Sequence, residues 1–545
     1  MKFRTLVLVL ISAFTPTYAS ANDSVMKTGI DPVGLFIDGQ EMRGGWRLLI
    51  GPETDVLDTS AREVTFASDT DTLNIVLDEW QSKDFIIVTA KGDTARVRVN
   101  RTAANIYENP DPKILKKAPS GLLDRKQAEF DINALIYGLS EVHPDIFSVC
   151  RKEDFFRAIN NAVASLPDSI STMELYRKAA PIVAMIGDGH TNLTFPYNDV
   201  FTGELKRMPV LVDVLSDKSI VCRASLDSII PRGAKLLSIN GHSAEEMVDS
   251  MLPYVAGERI PFKLSRVDSS FPALRHMLFP ADTFNIVYLP EGADSPMSVI
   301  YPATPYDEVK RRMPAIPGSD SQAPYSFTID KKNDVAVMDF RSFHDADRMK
   351  VFADSMFKAL KADGINNLVI DLRKNGGGNS SVGDILLRYI SPQPFIQMDK
   401  ALIRVTPLTK RLMGADIAPM FAFHEVSPEN YIKPLSVDDG HYTGNVYLLT
   451  SNKTFSSAGS FAWAFKECGM GTVIGEETGG MNVCYGDVLS YRLPVSRLHC
   501  SISFKRFWQF QADENDIHGT LPDVAVPASD AMTRALDIIK QHRTK

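Results

Sequence analysis

Four short runs in the first hundred residues alternate apolar with polar side chains or are rich in β-branched ones: residues 62–67, 72–77, 85–90 and 95–100. Asp, Gly and Ser turns separate them, so each predicts a strand and residues 22–116 read as a β-rich N-terminal domain. The pattern then changes period. Phe130, Ile132, Leu135, Ile136 and Leu139 share one helical face, and Phe155, Phe156, Ile159, Ala162, Val163 and Leu166 share another. Residues 117–204 are therefore a predicted helical region, which carries the polar turn Gly187-Asp188-Gly189-His190-Thr191 near its end. Residues 205–301 return to short strands, with one helical stretch over 244–252. Five prolines among polar residues in 302–324 predict a linker. From 325 to 545 strands and helices alternate. The run Asn367-Leu-Val-Ile-Asp-Leu is apolar without alternation, as a strand buried on both faces would be. A mostly parallel α/β core follows from that order.

Length and charge narrow the picture. The chain has 545 residues, too many for one core. Its formal net charge is -8 and it has no long basic block, which argues against a general nucleic-acid binder. Lys2 and Arg4, an apolar run over 6–14 and the small residues Ala19-Ser20-Ala21 match a secretory signal peptide, here 1–21, with a mature start expected at Asn22. That run is too short to span a bilayer, so a soluble exported protein, periplasmic or extracellular, is expected. Of the five cysteines, Cys484 and Cys500 flank a predicted hairpin and are the expected disulfide pair. No Cys or His spacing resembles a zinc site, so neither a structural metal nor a cofactor is expected.

Three places carry candidate chemistry. The strand at 446–450 runs through a polar turn to Ser456, behind which a helical pattern opens. A serine at such a junction has an exposed hydroxyl beside the N–H groups of a helix start, which suits a nucleophile. The plainer alternative is a helix N-cap. Gly376-Gly377-Gly378 follows the buried strand at 367–372, where glycines let backbone amides approach a ligand. The plainer alternative there is a tight turn, and no Walker-type Gly-Lys-Ser/Thr follows. His190, in its glycine-flanked turn, is either a surface residue or a base.

These residues form an ordered set. Asp371-Leu372-Arg373-Lys374-Asn375-Gly376-Gly377 comes first, then Thr454-Phe455-Ser456-Ser457-Ala458 with Phe461-Ala462. Ile474-Gly475-Glu476-Glu477-Thr478-Gly479-Gly480 and Leu521-Pro522-Asp523-Val524 complete it. The set resembles the signature of the S41 serine peptidases, the tail-specific and tricorn-core proteases. Val142-His143-Pro144, Asp188-Gly189-His190-Thr191 and the stretch from Ala234 to His242 resemble the helical region and PDZ-like module of that family. The resemblance covers roughly 120–530 and implies a C-terminal catalytic core of the S41 (ClpP/crotonase-like) type over 325–545.

The tail-specific branch uses a Ser–Lys dyad, with the Lys just after the Gly-Glu-x-Thr element. Met481 stands there, and a thioether cannot take a proton. The resemblance therefore implies the tricorn-like arrangement: Ser456 as nucleophile, nineteen residues before Gly475, and His190 as base. Imidazole titrates near neutrality, which suits that role. A carboxylate near the Pro522-Asp523 element would orient the imidazole. Asp516 sits in the motif's register, and Glu514, the type more usual in the family, is the alternative; His518 lies close to both. Gly377 and Ser457 N–H groups would form the oxyanion hole. Gly459 departs from the family, which often has Glu in that helix turn. The implied activity is an exported serine endopeptidase acting on a protein or peptide substrate, with the PDZ-like module adding a peptide as a strand. A second reading is a non-catalytic protein binding a peptide or apolar ligand on the same fold. A third, sugar or surface binding, rests only on the β-rich N-terminus.

Overall fold

The computed structural model describes residues 105–201, 205–314, 323–414 and 422–543, together with backbone strands between residues 32 and 101. The expected signal segment lies outside the described residues. Strands Glu63–Ala67, Thr72–Val76, Ser82–Thr89 and Thr94–Arg101 fall on the four N-terminal runs. The chain divides into two compact units. One comprises the chain up to Ala179 with Ile403–His424 and Leu489–Phe504, and the other holds the rest.

In the first unit the helix Arg125–Val142 opens with a capping box, Asp124 with Gln127. Its buried Asp131 accepts the Val495 and Ser496 N–H groups at 2.8 and 2.6 Å. Gly138 packs on the Tyr491 ring, and a Cβ there would come within 2.7 Å of it.

The second unit contains two sheets that matter for the site. The first is antiparallel, in the order Val210–Val214, Ile220–Ser225, Lys235–Ile239, Thr283–Leu289, Met297–Pro302, and it comes with the helices Ala244–Met251 and Ile260–Leu278. The expected linker after it contains a helix. Tyr306–Arg312 forms a helix with Pro305 as its N-cap, so a proline that reads as a breaker begins an element instead.

The second sheet runs Tyr325–Asp330, Val335–Phe340, Asn367–Asp371, Asn445–Thr450, Thr472–Gly475, Val524–Ala525. The first pair is antiparallel and the rest are parallel. Both faces are covered, which explains the unbroken apolar strands. Leu368, Ile370, Leu448 and Val473 pack with Met356, Phe357, Leu386, Phe461 and Phe465 from three helices. Val369, Tyr447, Leu449 and Ile474 pack with Ala531, Ala535 and Ile539 of the helix Ala531–Arg543. The carboxyl ends of the parallel strands, where α/β sheets place ligands, release the glycine turn, the Ser456 turn and the Gly475-Glu476 turn side by side.

No disulfide joins the five cysteines. The hairpin expected around 493–494 is present, but Gln509 N–H bonds to Asn482 O at its open end and Leu493 N–H to Leu498 O at its turn. Cys484 lies near the open end and Cys500 near the turn, so the expected pair is out of register.

Candidate active site

The Ser456 turn is locked to the glycine turn by hydrogen bonds. Phe455 N–H donates to Asn375 O at 3.1 Å, and Thr454 Oγ1 and Ser451 Oγ donate to Leu372 O and Arg373 O at 2.9 and 2.6 Å. Ser457 Oγ donates to Gly378 O at 2.6 Å. Between these ties Ser456 takes φ 54°, ψ −130°, a region that L-residues rarely adopt. Holding a non-glycine residue there costs about 1–3 kcal/mol and marks a site where the surroundings enforce the shape. Ser456 is positionally the N-cap of the helix Ser457–Glu467, yet its side chain caps nothing. The plain capping reading therefore fails, and the hydroxyl is left for another task.

Gly377 has φ +97° and is pressed against this turn. A Cβ on it would lie 2.7 Å from Phe455 O and 2.8 Å from both Ser456 Cβ and Ser457 N. That space in front of the Ser457 amide exists only because residue 377 is glycine. Ser457 N–H has no acceptor among the described residues. Gly377 N–H, the other expected oxyanion donor, is engaged with Asn375 Oδ1 at 2.8 Å. Asn375 is itself anchored through Nδ2 to Phe340 O.

Gly480 backs Ser456 from the other side. A Cβ on Gly459 would meet Gly480 Cα at 2.9 Å, so the helix and this strand exit touch backbone to backbone. A glutamate cannot stand at 459 here. Met481 is buried and bridges Gly519. Glu476, Thr478 and Asp523 act as clamps. Glu476 accepts Ala528 N–H, Thr478 Oγ1 accepts Thr520 N–H, and Asp523 accepts Val473 N–H.

His190 packs against Phe455, the residue that precedes Ser456. Its ring tilts against Phe455, with centroids 4.4 Å apart, and Phe455 stacks on Phe262 at 4.1 Å. Its side chain is 15% exposed. Both ring nitrogens lack hydrogen-bond partners, so no bond to Ser456 Oγ is made in this state. Catalytic hydrogen bonds are often long before substrate arrives.

The carboxylates beside His190 are not those expected. Asp516 is 78% exposed and faces His518 at 3.6 Å; Glu514 is 54% exposed and pairs with Arg506 and Trp508. Neither contacts His190, because the turn that carries them directs both side chains outward. Instead Asp188, fully buried, places Oδ1 3.7 Å from His190 Nδ1 and accepts the His190 N–H at 2.8 Å. Glu258, just before the helix Ile260–Leu278, accepts Gly189 N–H at 3.1 Å. Burial, and then the charge of Asp188, push the Glu258 carboxyl up to about 7. Arg266 donates to Gly189 O and lies over Phe262 and Phe455; burial lowers its pKa. Burial and the two carboxylates also raise the Cys484 thiol. Asp188 was visible in the histidine motif, but Glu258 carried no sequence signal: it is 69 residues from Gly189.

Solved structures of mature CPAF match the fold, one of them complexed with lactacystin. That one is 14% identical with a TM-score of 0.56, the other 15% identical with a TM-score of 0.54. In both, the match covers 76% of this chain and 97% of the other. Among the described residues no helix is long and apolar enough to cross a membrane. The family model for peptidase family S41 matches residues 334–526, which span the glycine turn, Ser456 and the Pro-Asp element. Residues 334–526 are therefore a domain of peptidase family S41, a family of serine-type peptidases.

Proposed function

We propose that the protein is an exported serine endopeptidase that cleaves peptide bonds through an acyl-enzyme on Ser456. The observation that carries this reading is the strained Ser456 backbone, whose hydroxyl caps nothing and whose turn packs directly on Gly377. Export rests on the basic, apolar and small-residue segment over 1–21.

Substrate binding draws the His190 imidazole from the Phe455 ring to Ser456 Oγ. The imidazole takes the hydroxyl proton as Oγ attacks the carbonyl carbon. Ser457 N–H holds the oxyanion, and Gly377 N–H joins it by turning from Asn375 Oδ1. Each such donor contributes about 3–4 kcal/mol to the transition state. The imidazolium then protonates the leaving amine, and water, deprotonated by the same imidazole, releases the acyl group. Asp188 is the carboxylate best supported as His190's orienting partner, given its position 3.7 Å from Nδ1. Asp516 or Glu514 fills that role only if the 511–519 turn swings inward. The sheet from Val210 to Pro302 is the PDZ-like module of this proposal, and its edge strand Met297–Pro302 offers main-chain partners to an extended peptide.

A second reading, a peptide- or apolar-ligand-binding protein, is favoured by one observation: no hydrogen bond joins His190 to Ser456. Hydrolysis of an unfolded protein substrate separates the two. The peptidase reading predicts turnover that Ser456→Ala and His190→Ala each abolish and that Asp188→Asn lowers more than Asp516→Asn or Glu514→Gln does. Equal turnover in wild type and Ser456→Ala contradicts it, and ligand retention without turnover establishes the alternative.

A further inference from the structure

Buried Asp188 and half-buried His190 and Glu258 form a cluster whose donor atoms all lie within 4.8 Å of one another. From this we infer that the protein has a site for a divalent transition ion of the zinc class, and that the ion switches the peptidase off by capturing its histidine.

The chemistry of the cluster favours a cation over an empty state. Two carboxylates face each other in a shielded place; Glu258 accepts Gly189 N–H, and Arg266 acts on both carboxylates through space without an ion pair to Glu258 among the described residues. Glu258 Oε2 and both His190 nitrogens are buried with no hydrogen-bond partner. Buried polar atoms are rarely left so, because an unpaired one costs about 1–3 kcal/mol. Arg266 is near, but its guanidinium is turned to Gly189 O and the phenyl rings.

An ion would draw the three donors, now within 4.8 Å of one another, closer together. Zinc binds His nitrogen and carboxylate oxygen at roughly 2.0–2.2 Å, so tetrahedral donors stand about 3.3 Å apart. His190 Nδ1 and Asp188 Oδ1 are already at 3.7 Å. One imidazole and two carboxylates leave a fourth position for water. The imidazole favours zinc-class ions over magnesium or calcium, which prefer all-oxygen shells. A metal bond takes up an imidazole lone pair and fixes the ring on the Asp188 side, away from Ser456. Spacing rules miss this site because its ligands come from one turn and from a helix start far along the chain.

The inhibitory half rests on the proposed role of His190; the binding half does not. Zinc titration by calorimetry, on the full chain and on Ser456→Ala, is expected to show one ion per chain in both. Glu258→Gln, checked for an unchanged thermal transition, is expected to weaken binding at least tenfold, and magnesium is expected to show no binding at the same concentration. Wild-type binding no tighter than that of folded Glu258→Gln and His190→Ala overturns the site. In activity assays zinc is expected to stop hydrolysis and a chelator to restore it. Full turnover by zinc-loaded enzyme overturns the switch while leaving the site. One tight ion in a chain with no hydrolytic activity under any condition supports the site and counts against the peptidase reading instead.

Discussion

Replacing Gly377 by alanine tests the oxyanion space directly. The new methyl group would sit 2.7 Å from Phe455 O, 2.8 Å from Ser456 Cβ and 2.8 Å from Ser457 N. None of these is the end of a flexible side chain, so the turn itself must move. The φ of +97° adds strain, and a non-glycine residue in such a region costs about 1–3 kcal/mol. The larger effect falls on chemistry. The methyl fills the space before the Ser457 amide, and loss of one oxyanion donor lowers kcat by about 10²–10³. Gly364→Ala separates strain from chemistry. Gly364 also has positive φ, +62°, at the end of the helix Ala346–Asp363, but a Cβ there meets nothing within 4 Å. It is expected to cost about 1 kcal/mol in urea unfolding and to leave kcat/KM unchanged. Gly377→Ala is expected to lower kcat/KM by about a hundredfold or more, mainly through kcat. A folded Gly377→Ala enzyme within about threefold of wild type would refute the oxyanion assignment.

Three further substitutions probe the same frame. Ser456→Gly is expected to be inactive yet more stable than Ser456→Ala by about 1 kcal/mol, since relief of about 1–3 kcal/mol of backbone strain exceeds glycine's larger chain-entropy cost of about 0.5–1 kcal/mol; equal thermal transitions would argue against strain at 456. Gly459→Ala would ordinarily gain about 1 kcal/mol inside a helix, but contact with Gly480 Cα at 2.9 Å reverses the sign, so a net loss of about 1–3 kcal/mol is expected in denaturant unfolding. Asp131→Ala strips the acceptor from the buried Val495 and Ser496 N–H groups, and a loss of about 2–5 kcal/mol is expected from the two unpaired donors; a change below 1 kcal/mol would show that water replaces the carboxylate.

Much of the α/β core could be read from local pattern. The strand at 367–371 announced its burial by lacking alternation, and helix and sheet cover both its faces. Ser456 was reachable by its offset from Gly475, and its turn proved to be strained. His190 was singled out only through the family resemblance, since a lone histidine in a turn reads equally as a surface residue. The carboxylates beside His190 were not legible in this way. A motif register counts along the chain, and it pointed to Asp516; orientation in space turns that side chain outward and brings Asp188 and Glu258 to the imidazole. Gly459 read as a departure from a pattern, and only the backbone approach of Gly480 explains it. The cysteines failed for a similar reason: flanking a turn does not fix which residues of two strands face each other.

The central claim is that Ser456 is a nucleophile activated by His190. Labelling with a fluorophosphonate, followed by mass spectrometry of the digested chain, tests it most directly. The account predicts one adduct, on the peptide that contains Ser456, formed fast in wild type, slowly in His190→Ala and not at all in Ser456→Ala. Labelling of wild type and Ser456→Ala to the same extent, or an adduct mapped to another residue, would contradict it.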